Sequence, residues 1–229
     1  MIAAVLAVAG LMGAGSIGAG PAGAAESDAG ICARTARDGN VAACAAAVAG
    51  DPGDLEARRN LAFAYLAVND REACLAVHRA IVALVPDDAE AWFGYAAAAA
   101  TFWDYHAAVA PIRRALQLAP DHRLALRVAV LVFRAAGEAR DALAALAHGA
   151  ELGDDVMMAD LADAYARGLG TAADPPTARL WLTRAAARGH VGAMEQLAAL
   201  YRSGAPGVPA DAAAARSWAE RARLTAAGE

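Results

Sequence analysis

The sequence predicts an all-α fold built from repeated helix pairs, and three observations carry that expectation. Pro52, Pro86 and Pro120 stand 34 residues apart, and Asp154 takes the next equivalent place. Between them, apolar residues recur at helical spacing, as in Trp92, Tyr95, Ala96 and Ala99 followed by Ala108, Ile112 and Ala115. Beyond Asp154 a second pattern repeats with a slightly longer period, Leu161, Tyr165 and Gly168 returning as Leu197, Tyr201 and Gly204.

At the amino terminus, residues 1–25 carry no charged side chain, and an apolar run is followed by Gly-rich sequence ending in small residues. That is the make-up of a signal peptide, with Ala22 and Ala24 as the small residues before cleavage after Ala24 or Ala25. The alternative is an uncleaved anchor, which the glycines of the segment disfavour as a membrane helix. Once cleaved, the chain is expected to have no membrane span and to lie in the periplasm or outside the cell.

Residues 26–52 read as a short helical hairpin turning at Asp38-Gly39. Cys32 and Cys44 are equally far from that turn, so a disulfide would join them and add roughly 3 kcal/mol by closing a short loop. Export favours the bridge over the alternative of two buried thiols. Cys74 is then a buried, inert thiol.

Residues 53–154 hold three helix pairs. Arg58, Leu61, Ala62 and Tyr65 take the offsets of Trp92, Tyr95, Ala96 and Ala99, and Leu126, Ala129, Val130 and Phe133 take them again. Asp54, Asp88 and Asp121 precede the first helices as caps, and Asp70 and Asp104 the second. Pro111 falls inside its helix, where a kink is expected. These offsets resemble the tetratricopeptide repeat, whose aromatic, small and closing Pro positions recur about every 34 residues.

Residues 155–229 hold two more pairs. Asp174, Ala178, Trp181 and Ala185 recur as Asp211, Ala215, Trp218 and Ala222, and the extra residue falls in the loop after Gly204. This pattern resembles the Sel1-like repeat, in which His190 matches a structural Gly-His turn. Together the two resemblances imply a right-handed α-solenoid, a superhelix of about six antiparallel helix pairs. They also imply a scaffold that holds proteins or peptides on its concave face. No Gly-Ser-rich linker separates the repeat types near 154–157, so one continuous array is expected.

The chemistry of the chain points away from other classes. All 20 basic residues are Arg, and the net charge of −5 is spread along the sequence, which does not suit nucleic acid. His78, His106, His122, His148 and His190 show no metal-ligand spacing, and no serine lies in a nucleophile motif, so neither cofactor nor metal is expected. By analogy with the tetratricopeptide groove, a peptide-binding face is expected from Arg59, Asn60, Phe63, Phe93, Arg127, Leu131 and Arg134. An apolar centre flanked by Arg suits an extended, partly acidic peptide. Phe63 stands where a chaperone-tail clamp needs Asn, which argues against that ligand. Two alternative readings are an envelope hydrolase acting on cell-wall or peptide substrates, and a self-associating structural protein.

Overall fold

The computed structural model describes residues 27–228. They form twelve α-helices with a single 3-10 turn and no strand, in two compact units, one up to Pro120 and one from Asp121. The signal peptide expected at residues 1–25 lies outside the described residues. Among the described residues, no helix is long and apolar enough to cross a membrane.

The first unit contains α1 (Asp28–Thr35), α2 (Val41–Gly50), α3 (Leu55–Ala67), α4 (Arg71–Leu84), α5 (Ala89–Thr101) and α6 (Tyr105–Leu118). Connections this short make sequential helices antiparallel neighbours, and each helix packs on the next. Asp54, Asp70, Asp88 and Asp104 each accept a backbone N–H one turn into the following helix, worth about 1 kcal/mol apiece. Cys32 and Cys44, both fully buried, are joined by a disulfide with sulfurs 2.08 Å apart. The bridge ties α1 to α2 inside a cluster with Ala36, Ala47, Ala57, Leu61 and Ala64, so the hairpin covers one face of α3. Pro111 is buried in α6, and the helix runs on through it.

The turns between paired helices show where the repeat is strained. Asn69, Trp103 and Gly137 occupy equivalent places, all left-handed, with φ of 59°, 61° and 82°. Asn and Gly adopt that conformation readily, whereas Trp pays about 1–2 kcal/mol for it.

The second unit contains α7 (Arg123–Ala135), α8 (Ala139–Glu151), α9 (Asp155–Arg167), α10 (Pro175–Ala187), α11 (Val191–Ser203) and α12 (Ala212–Ala227). Here one expected cap is corrected. His122, not Asp121, caps α7, its Nδ1 accepting the Ala125 N–H at 3.0 Å, while Asp121 lies 2.7 Å from His148 Nε2. His190 caps α11 through the same bond to Ala193, a physical reason for its place at the closing turn.

The last two pairs share one wiring. The Asp174 N–H donates to the Tyr165 carbonyl and the Asp211 N–H to the Tyr201 carbonyl, fixing the Tyr-Gly-Asp register. Their extra loop residue is taken up by a small bridge between Ala205 and Val208. Trp181 and Trp218 are each covered by an Arg one turn later, Arg184 at 4.5 Å and Arg221 at 4.4 Å from the ring centre.

Candidate functional site

Three helical stripes of the first unit converge on a cavity of about 60 Å³. From α3 come Arg59, Ala62, Phe63 and Leu66, at the spacing of one helix face. From α4 come Cys74, His78 and Ile81, and from α5 Glu90, Ala91, Gly94, Ala97, Ala98 and Thr101. The cavity exists because α5 is small where its neighbours are large. Shifted by one repeat, Gly94 corresponds to Asn60 and Val128, and Ala97 to Phe63 and Leu131.

The floor is apolar and chemically quiet. Cys74 is fully buried and directs its thiol to the Ala62 carbonyl, and burial, with the Asp70 charge nearby, pushes its pKa up to about 12. A thiol held so firmly protonated is a poor nucleophile. Burial pushes His78 down to about 4, so the imidazole is neutral at pH 7. Its ring lies parallel to Tyr95, and its Nδ1 is shut from solvent with no hydrogen-bond partner. An orphaned buried nitrogen carries a desolvation penalty of about 1–3 kcal/mol.

Gly94 adds a second cost at the same place. It is the sixth residue of α5, with no left-handed backbone to require glycine, and in a helix interior it costs about 0.5–1 kcal/mol relative to Ala. Packing does not demand it either. A Cβ on Gly94 would meet His78 Cε1 at 3.5 Å, an ordinary contact.

The residues expected to line a peptide face divide among several places. Arg59 and Phe63 border the cavity, and Asn60, half-buried, lies one residue round α3 from its stripe. Phe93 is a correction. It is fully buried and lies off the stripe of Gly94 and Ala97 that lines the cavity, so it cannot offer its ring to a ligand. The remaining three belong to the second unit: Arg127 and Arg134 are exposed and Leu131 is half-buried.

The arginines also have structural work. Arg59 donates to Asp88 at 3.2 Å, and Arg127 donates through both Nε and a terminal nitrogen to Asp154, at 2.9 and 2.7 Å. Each therefore pairs with the cap of the next repeat. Arg134 lies 3.5 Å from Asp160, whose carboxyl burial pushes upward against the opposing pull of that guanidinium. Sequence reasoning missed Leu66, Cys74, His78 and Gly94. The available signal was a lone glycine inside an Ala-rich helix, next to an offset occupied elsewhere by Phe and Leu.

Comparison with known proteins agrees with the repeat reading. The Sel1 repeat model matches residues 156–190 and 191–223. No curated protein matches the chain. Among solved structures, MamA is 19% identical with a TM-score of 0.58, over 71% of this chain and 96% of its own. MamA from residue 41 onward, from Desulfovibrio magneticus RS-1, is 19% identical with a TM-score of 0.54, over 78% of this chain and 95% of its own. A Sel1 repeat protein from Oxalobacter formigenes is 23% identical with a TM-score of 0.46, over 85% and 83%. At such identities the MamA likeness is one of fold. The described residues thus form an all-helical repeat protein in which residues 156–223 match the Sel1 repeat.

Proposed function

We propose that the protein is an exported, non-catalytic scaffold of the cell envelope that binds a protein or peptide partner on the face formed by α3 and α5. The observation that carries this reading is the apolar cavity between those first helices, at a point where the fold leaves two costs uncompensated. Sel1 repeats at the other end of the chain suit the same kind of work, since stacked helix pairs present long surfaces to other proteins. Export is supported by the uncharged 1–25 segment and by the Cys32–Cys44 bridge, which an oxidising compartment preserves.

Crosslinking followed by pull-down from envelope extracts tests the reading, with the full mature chain beside Leu66→Glu and Leu180→Glu variants. Leu66 lines the cavity, whereas Leu180 is 52% exposed on α10. Capture of one defined protein that Leu66→Glu loses and Leu180→Glu keeps, with helical circular dichroism intact in both, is the expected result. No captured protein, or turnover of esterase, peptidase or lactam substrates by the purified chain, would overturn it.

A further inference from the structure

We infer that α10 and α12, the second helices of the two Sel1 repeats, present an interaction surface on which Arg184 and Arg221 take carboxylates from an acidic segment of a polypeptide partner. This surface takes its own ligand and does not depend on what α3 and α5 bind.

The two arginines are a matched pair. A shift of 37 residues carries Trp181 to Trp218 and Arg184 to Arg221, and each guanidinium lies over its ring, 4.5 and 4.4 Å from the centre. Both arginines are exposed, and both rings are half-buried. Stacking holds a long side chain that would otherwise rotate freely. It engages a face of the guanidinium and leaves the N–H edges open to an acceptor.

The chain itself supplies no such acceptor among its described residues. In other repeats the arginines are paired: Arg71 with Asp104, Arg114 with Asp87 and Arg127 with Asp154. Together α10 and α12 carry five Arg and one acid, Glu220, which Arg223 engages at 2.8 and 3.0 Å. The caps Asp174 and Asp211 stand ten residues ahead of the two arginines and accept backbone N–H groups of their own helices. Positive charge on this surface is thus preorganised and unmatched.

Its pattern selects a polypeptide over a lipid surface. Leu180 is exposed on α10, but Ser217 takes its place one repeat later, so no apolar stripe runs across both helices to enter a bilayer. Glu220, next to Arg221, interrupts the positive charge that an anionic headgroup layer would meet. Separate, fixed guanidinium forks suit discrete carboxylates, which each can bind through two hydrogen bonds. Because α10 packs on α11 and α11 on α12, the axes of α10 and α12 lie within about 20 Å at usual helix spacings. An extended chain covers that distance in about six residues, so one segment with spaced Asp or Glu reaches both arginines.

Titrating the full mature chain with a labelled Glu-Gly repeat peptide of about twelve residues, long enough to pass both arginines, tests the inference. Fluorescence anisotropy gives the affinity. The expected result is saturable binding that added salt weakens, with no binding of a Lys-Gly peptide. The double variant Arg184→Ala with Arg221→Ala should bind at least about tenfold more weakly. Arg184→Lys with Arg221→Lys, which keeps the charge and loses the planar fork, should lose a few-fold and carries the test if the alanine variant does not fold. Arg202→Ala, at an exposed arginine of α11, should leave affinity unchanged. No binding of the Glu-Gly peptide, affinity unchanged in a folded double variant, or an equal loss with Arg202→Ala would each overturn the inference. Vesicles of phosphatidylglycerol and phosphatidylethanolamine form the remaining arm, and binding to them, without peptide binding, that the double variant abolishes would assign the surface to lipid and overturn it too.

Discussion

Gly94 in α5 of the first unit and Gly149 in α8 of the second are both helical glycines, and what lies against each differs. Met157 reaches from α9 across Gly149 and occupies the volume a Cβ would need. Against Gly94 a Cβ would meet His78 at an ordinary contact distance, beside a cavity lined by that neutral imidazole and a protonated Cys74. One glycine has a methionine side chain of its own unit lying over it. The other is compatible with Ala as far as the fold is concerned, and the helix would gain from the change. A residue that runs against its local propensity, beside a buried nitrogen with no partner, is where a function outside the fold is to be sought.

The largest expected effect breaks the filled side of this comparison. Gly149→Ala forces Met157 from a site where it is only 4% exposed, and overpacking of this kind costs about 1–3 kcal/mol. Thermal melting should show a clear fall in Tm, and an unchanged Tm would mean that Met157 relocates freely.

A pH experiment isolates the first unit. His78 has a folded pKa of about 4 against an ordinary 6.5, so the folded state binds fewer protons than the unfolded chain between those values. Its stabilising contribution is complete above pH 6.5 and is lost as pH falls toward 4. By linkage this amounts to about 2 kcal/mol between pH 7 and pH 5. Urea melts of wild type and His78→Leu at the two pH values should differ by that amount, with the variant less sensitive to acid.

The two inter-repeat arginines offer a smaller contrast. Asp154 has a side chain only 5% exposed and depends on the two-pronged Arg127 contact, whereas Asp88 is 32% exposed and meets Arg59 through one. Arg127→Ala leaves a buried carboxylate without its cation and should cost about 2 kcal/mol or more. Arg59→Ala should cost under about 1 kcal/mol. Equal losses in denaturant melts would show that Asp154 finds another partner.

Much of the fold was legible because it rests on local chemistry. The Pro spacing, the Asp caps and the paired Tyr, Gly, Asp and Trp positions each act over a few residues, and a single sequence displays them directly. The site was half legible. The stripe containing Arg59 and Phe63 follows from helical spacing, but Phe93 shares a repeat offset with Arg59 and Arg127 and is buried all the same, because offset alone does not fix which side of a helix the neighbours leave open. Cys74 and His78 come from the second helix of the pair, and only the packing of three helices brings them to Gly94. His122 displaced Asp121 as a cap because an imidazole Nδ1 can accept a backbone N–H as a carboxylate does, leaving Asp121 beside His148.

The most direct measurement is a side-by-side melt of wild type, Gly94→Ala and Gly149→Ala. If the fold leaves the space at Gly94 open for another molecule, Gly94→Ala should be more stable than wild type by about 0.5–1 kcal/mol, the helical preference of Ala over Gly, while Gly149→Ala is less stable. A Gly94→Ala protein destabilised as much as Gly149→Ala would contradict this. It would mean that Gly94 serves packing within the first unit and that the cavity is not held open for a ligand.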